Sequence, residues 1–167
     1  MRVVAPRASR PYMPGYGIVP PDGGRGLLPW SWAEERLARS TEYWVATVGA
    51  DRPHLTPVWG VWQDGAVWFS CSPDSRKARH LALNPACTVA TSDPHEPVVV
   101  EGRADAVGDP AAVAAFAAWA DGKYGTSYGV GFYAANACFR VRAARVIGLD
   151  DADFTGTPTR WLFAPPA

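Results

Sequence analysis

Residues 54–84 read HLTPVWGVWQDGAVWFSCSPDSRKARHLALN, and this stretch decides the fold. Thr56, Val58, Trp59, Val61 and Trp62 are the β-branched and aromatic residues that favour a strand. Asp64-Gly65 then fits a two-residue hairpin turn, because glycine takes the positive φ such turns need, and Ala66–Ser70 form the return strand. Beyond it, Ser72-Pro73-Asp74-Ser75 supplies turn residues and N-caps, and Arg76, Lys77, Arg79 and His80 crowd the helix that follows. A helix start presents unpaired N–H groups and the positive end of a dipole, so cations placed there make a seat for a phosphate. The same cluster is also the pattern of a solvated basic helix face.

The ordered pieces PVWGVW, DG, WFS, SRKARHL and NP within residues 57–85 resemble the split β-barrel flavin and deazaflavin proteins. That superfamily takes its name from pyridoxamine 5'-phosphate oxidase, and the branch most resembled binds coenzyme F-420, a 5-deazaflavin. The likeness spans residues 28–163. It implies an α+β fold: an antiparallel split β-barrel of about six strands with inserted helices. The tryptophan surplus and the apolar strand Val98 to Val100 add the expectation of a homodimer with the cofactor near the subunit boundary. Carried over residue by residue, Thr56, Pro57, Val58 and Trp59 become ring contacts and Ser70 a polar contact. Ser75, Arg76, Lys77 and Arg79 become the phosphate seat. His80 is carried over as a further cofactor contact although related sequences often have Asn there, and Cys71 stands where a small hydroxylated residue or glycine is common. Arg160 and Trp161 resemble the C-terminal pair that reaches the cofactor region; the plainer expectation is a Trp161 that plugs the barrel end and a solvated Arg160.

Composition bounds the class. A chain of 167 residues suits one domain with a core, and 48% hydrophobic against 19% charged residues is a globular balance. Sixteen basic and sixteen acidic residues cancel, which argues against nucleic acid as a partner. Eight tryptophans are a surplus that predicts indoles in a ligand cleft or under a partner subunit. Cys71, Cys87 and Cys138 are odd in number and without CxxC spacing, so they fit a reducing compartment and no zinc site. The first residues lack the apolar core of a signal peptide, and no run approaches transmembrane length, so a cytoplasmic protein with no membrane partner is expected.

Taken in order, residues 1–28 are rich in Pro, Gly and Arg and read as an extended arm outside the barrel, with Tyr12, Met13 and Tyr16 free to pack on a neighbour; residues 29–167 read as the split-barrel cofactor-binding domain. Ser31-x-x-Glu34 has the form of a capping box, starting a helix that runs to Arg39. Tyr43–Val48, Ala86–Thr91, Val98–Ala104 and Cys138–Ile147 are strands, with Thr159–Phe163 returning as a short strand or an extended cover. Val98-Val99-Val100 is apolar on both faces and is therefore central or covered by a partner. Asp109-Pro110 opens a helix whose stripe is Val113, Phe116, Ala117 and Ala120, and residues 123–131 (KYGTSYGVG) read as a loop.

His54, His80 and His95 have no metal spacing, and HExxH and GxxxxGK[ST] are missing. No catalytic side chain stands out, although His54 on the ring-side hairpin is a candidate proton donor. That fits a flavin-type cofactor, which carries the hydride chemistry while the protein binds and orients it. The expectation is therefore a coenzyme F-420-dependent oxidoreductase acting on a small organic substrate. The alternatives are an FMN-dependent oxidoreductase or a flavin- or deazaflavin-binding protein without turnover.

Overall fold

A computed structural model describes residues 5–164, so the first four residues of the arm and residues 165–167 of the barrel domain lie outside the described residues. Nine strands and four α-helices follow one another among the described residues. They are β1 (Arg7–Ser9), α1 (Trp30–Arg39), β2 (Tyr43–Val48), β3 (Pro53–Val58), β4 (Gly60–Gln63), β5 (Ala66–Cys71) and α2 (Arg76–Leu83). After these come β6 (Ala86–Thr91), β7 (Val98–Ala106), α3 (Pro110–Tyr124), α4 (Gly129–Ala134), β8 (Ala137–Gly148) and β9 (Thr159–Leu162). Every ladder is antiparallel, in the order β1-β9-β8-β7-β6-β2-β3, with β5 joining β8 to β4. The path β3-β2-β6-β7-β8-β5 curls into a barrel in which β3 approaches β5 without a ladder, so the barrel is split there.

Register assigns the two faces, since side chains directly opposite each other share a face. Thr56, Val45, Val89, Val100, Val146 and Trp161 stand opposite one another in successive ladders and point inward. Together with Tyr43, Leu37, Leu81 and Phe69 they fill the barrel. The neighbouring row, Pro57, Trp44, Ala90, Val99, Ile147 and Arg160, faces outward. β5 is buried on both faces: Val67 and Phe69 enter the barrel, while Ala66 and Trp68 pack with Val113, Phe116 and Ala120 of α3. Removing a core ring such as Phe116 costs about 3–5 kcal/mol in proteins generally.

Four local expectations change. The strand read through Trp62 divides in two, because β3 pairs with β2 whereas β4 pairs with β5. The break falls at Gly60, where a Cβ would sit 2.7 Å from the carbonyl oxygen of Trp68 and 3.2 Å from the Tyr43 ring. The Ser31 capping box does not form, because α1 starts two residues earlier, at Trp30, with Pro29 at the cap and its carbonyl taking the Trp32 N–H at 3.0 Å. Residues 123–131 are not one loop but the end of α3, a short turn through Gly125 and the start of α4. The arm also adds β1 to the sheet, pairing with the outer edge of β9. Arg10 ties that arm down by donating to the carbonyls of Val19, Pro20, Gly23 and Pro158 at 2.9–3.2 Å.

The hairpin turn is as read, with Asp64 (φ 52°) and Gly65 (φ 70°) both left-handed. β7 is central, between β6 and β8. Asp109 caps α3, its carboxylate accepting from the Ala112 N–H at 2.8 Å with Pro110 in the first turn.

Candidate cofactor site

The site begins at the unclosed seam. β3 pairs only with β2, and Ser70–Cys71 run past the last residue that β4 pairs, so two strand edges face each other unladdered. Backbone N–H and C=O groups on such edges are open to a ligand. His54, Thr56 and Val58 line the inner side of β3, opposite Thr47, Val45 and Tyr43. The Thr56 hydroxyl is buried and has no hydrogen-bond partner. A buried orphan at an open edge is a group that a ligand would satisfy.

α2 starts beside this seam, and Ser75 is its N-cap. The Ser75 hydroxyl accepts from the Ala78 N–H at 3.3 Å and donates to Cys71 Sγ at 3.4 Å, while its carbonyl takes the Arg79 N–H at 3.1 Å. The N–H groups of Arg76 and Lys77 are then the unpartnered donors of the first turn. Among the described residues, Arg76, Lys77 and Arg79 enter no ion pair. Uncompensated cations at the positive end of a helix dipole form a field suited to an anion. His54 registers this field. Burial, then Arg76, His80 and Lys77, hold its pKa below the ordinary imidazole value, so the ring is neutral at pH 7.

Across β5 from the seam lies a cavity of about 270 Å³, lined by Trp59, Gly60, Ser70 and aromatic side chains of α3 and α4. Trp59, 54% exposed, stacks on Tyr124 with ring centroids 4.6 Å apart. The Tyr124 hydroxyl accepts the Gly60 N–H at 2.8 Å, and Lys123 donates to the Gly60 carbonyl at 2.9 Å. Sequence reasoning missed this wall because residues 123–131 read as a loop. Part of its signal was present: Tyr128 and Phe132 stand four residues apart, the spacing of one helix face, and their rings stack at the start of α4.

A family model described as pyridoxamine 5'-phosphate oxidase matches residues 32–148. The chain belongs to the pyridoxamine 5'-phosphate oxidase family. Members of this flavin-binding family share the split barrel, and solved structures agree with it. The conserved hypothetical protein Rv2991 from Mycobacterium tuberculosis aligns with a TM-score of 0.69 and 24% identity, over 75% of this chain and 87% of its own. An F-420 reductase aligns with a TM-score of 0.58 and 25% identity, over 68% of this chain and 94% of its own. A FAD-binding protein from Mesorhizobium loti aligns with a TM-score of 0.60 and 17% identity, over 80% and 95% of the two chains. No protein of curated function matches the chain.

Within this pyridoxamine 5'-phosphate oxidase fold, Thr56 and Val58 line the seam, with Ser75 bonded to Cys71 and with Arg76 and Lys77 acting on the His54 ring, whereas Ser70 lines the aromatic cavity. Pro57 points to the outer face of the sheet and Trp59 to the aromatic cavity. Arg79 is exposed one turn beyond Arg76 on α2. His80 is wedged under the barrel: its Nδ1 lies 3.0 Å from the Thr47 hydroxyl, and a Cβ on Gly49 would fall 2.5 Å from its Nε2. Arg160 lies on the outer face, donating to the Ser9 hydroxyl at 3.0 and 3.2 Å. Trp161 is 1% exposed and packs against Trp30 and Trp32, so within one chain it plugs the barrel and does not border the seam. No group of metal-ligating side chains occurs among the described residues, and no described helix is long and apolar enough to cross a membrane.

Proposed function

We propose that the protein is an oxidoreductase that holds coenzyme F-420 along the seam between β3, β5 and α2 and exchanges hydride with a small organic molecule. The observation that carries this reading is the uncompensated start of α2, Ser75-Arg76-Lys77, beside the orphaned hydroxyl of Thr56. A deazaflavin bound there supplies the hydride chemistry itself. The chain supplies the rest. The N–H groups of Arg76 and Lys77 and their side chains hold a phosphate, and Arg79 carries positive charge one turn further for an anionic tail. Thr56 and the open edge of β3 bond the polar rim of a planar ring, and Val58 offers it an apolar surface. His54 is neutral and is the one histidine on the seam side of β3 among the described residues. The 25% identity to an F-420 reductase favours deazaflavin over FMN.

The same reading includes a second copy of the chain. On the outer face, Trp44, Val48 and Leu55 are 40%, 51% and 58% exposed, and Pro57 and Val99 share that face. Exposed apolar side chains clustered in this way mark an interaction surface. A dimer through it brings Arg160 to the subunit boundary.

Absorption titration of the purified protein with coenzyme F-420 and with FMN tests the assignment. Saturable binding of F-420 at least about tenfold tighter than FMN, a gap of ~1.4 kcal/mol, is expected. Tighter binding of FMN, or binding of neither, contradicts it.

A further inference from the structure

His54 and His80 meet edge-on where β3 passes α2, with ring centroids 5.8 Å apart and planes at 82°. His54 is half-buried on the seam side of β3, opposite Thr47 of β2. His80 is fixed beside it by the Thr47 hydroxyl and by the room that Gly49 leaves. One turn earlier on the same face of α2 stands Arg76, followed by Lys77. On its α2 side His54 therefore has two cations and a second imidazole, and on its β2 side an uncharged hydroxyl. In the turn before β3, Asp51 is paired with Arg52 at 3.3 Å, and Asp74 precedes the cap of α2. His54 itself enters no ion pair among the described residues.

The protein contains the opposite case for comparison. His95 Nδ1 lies 2.6 Å from a carboxylate oxygen of Asp151, and that bond raises its pKa above the ordinary imidazole value. His54 has no such oxygen, and burial followed by Arg76, His80 and Lys77 holds its pKa low. The cationic part of that balance lasts only until an anion arrives. A phosphate on the N–H groups of Arg76 and Lys77 offsets their charge and brings oxygens that accept from a charged imidazole.

We propose that His54 is a further phosphate-binding residue, which takes up a proton as the ligand's phosphate settles on α2 and stands beside Arg76 and Lys77 as a third cation. The inference rests on the start of α2 being the phosphate seat. The proton comes from solvent and stays on the ring as a counter-charge; it is not passed to the substrate.

Linkage fixes the sign. Where the free ring is neutral and the bound ring charged, binding consumes a proton, so affinity falls as pH rises, by up to about tenfold per pH unit. The window opens below the ordinary imidazole value, because the free ring titrates there, and closes at the higher pKa of the bound ring.

Coenzyme F-420 is titrated by calorimetry at pH 7 into the full-length protein and into His54→Gln, each in two buffers of different protonation enthalpy. The difference between the two proteins cancels any ionisation of the ligand itself. The native protein is expected to take up more protons than His54→Gln, by up to about one per site, and to show the steeper fall of affinity with pH. Proton NMR is expected to show the His54 ring titrating at higher pH with F-420 than without, while His95 stays where Asp151 holds it. Equal proton uptake in the two proteins, or a His54 ring that titrates alike with and without F-420, would overturn the inference and leave the phosphate seat in place. Absence of F-420 binding would overturn the cofactor reading and this inference with it, so the two failures are distinct.

Discussion

The indole of Trp59 lies flat on the phenol of Tyr124, with planes 8° from parallel. The stack joins the break between β3 and β4 to the last turn of α3. The Tyr124 hydroxyl completes the joint by accepting the Gly60 N–H and lying 2.8 Å from the Gly60 carbonyl. One short segment, Trp59-Gly60, thus ends the open strand of the seam and begins the wall of the cavity.

Tyr124→Phe tests that joint. The ring stack survives, but the buried Gly60 N–H loses its acceptor. Leaving a buried donor unsatisfied costs about 1–3 kcal/mol. Urea denaturation should show a loss in this range; an unchanged midpoint would mean that water replaces the hydroxyl freely.

Lys123 gives the protein a pH signature. Burial pulls its pKa from 10.5 down to about 8, despite three oxygen neighbours. Between these values the unfolded chain holds a proton that the folded chain has lost, so raising the pH favours folding. Below about 8 both states are protonated and the burial penalty is felt in full. Cys87 and Cys138 act in the opposite sense, because burial raises their pKa values from 9.0 to about 11 and stability falls as pH climbs above 9. The Lys123 contribution is therefore cleanest between pH 8 and 9. Melting temperatures across that window should rise in the native protein relative to Lys123→Met; parallel profiles would remove Lys123 as the source.

Leu55→Glu addresses the outer face. Leu55 is 58% exposed in a single chain, so a carboxylate there leaves the barrel intact. In a dimer the same carboxylate is buried without a partner, which costs several kcal/mol. Sedimentation should report a native dimer at micromolar concentration and a monomeric, folded variant. A monomeric native protein would contradict the dimer.

His54→Ala probes proton donation. The ring lies near Arg76 and Lys77 and is already neutral at pH 7, so it is not a strong acid there. Its removal should slow hydride transfer by well under the ~10²–10⁴-fold typical of a general acid–base residue. A loss in the upper part of that range with unchanged cofactor affinity would make His54 a proton donor.

Much of this architecture was legible in the residues. Asp64-Gly65, Ser75 at the start of α2 and Asp109-Pro110 each carry a local chemical reason for their conformation, and each forms as read. Val98 to Val100 showed a central strand by being apolar at every position. What the sequence concealed depends on distant partners. Nothing near Trp59 says that β3 and β4 pair with different strands; that follows from the Trp68 carbonyl and the Tyr43 ring crowding Gly60. Ser31 offered a capping box, but Pro29 starts the helix first. The resemblance grouped Arg160 and Trp161 with the cofactor contacts, yet strand alternation sends them to opposite faces. The aromatic wall was hidden because Gly125 and Gly129 made a helix–turn–helix look like a loop.

Lys77 provides the most direct measurement. If the start of α2 seats a phosphate, Lys77 adds a charge-assisted hydrogen bond, of a kind worth roughly 1.5–3 kcal/mol. Lys77→Ala should weaken binding of coenzyme F-420 about ten- to a hundredfold, since ~1.4 kcal/mol is tenfold in affinity. Lys77→Glu should weaken it further by setting like charge beside the phosphate. Both variants should melt with the native protein in the absence of cofactor, because Lys77 makes no ion pair among the described residues. Native affinity retained in Lys77→Glu would contradict the account, leaving Arg76, Lys77 and Arg79 as a solvated basic face.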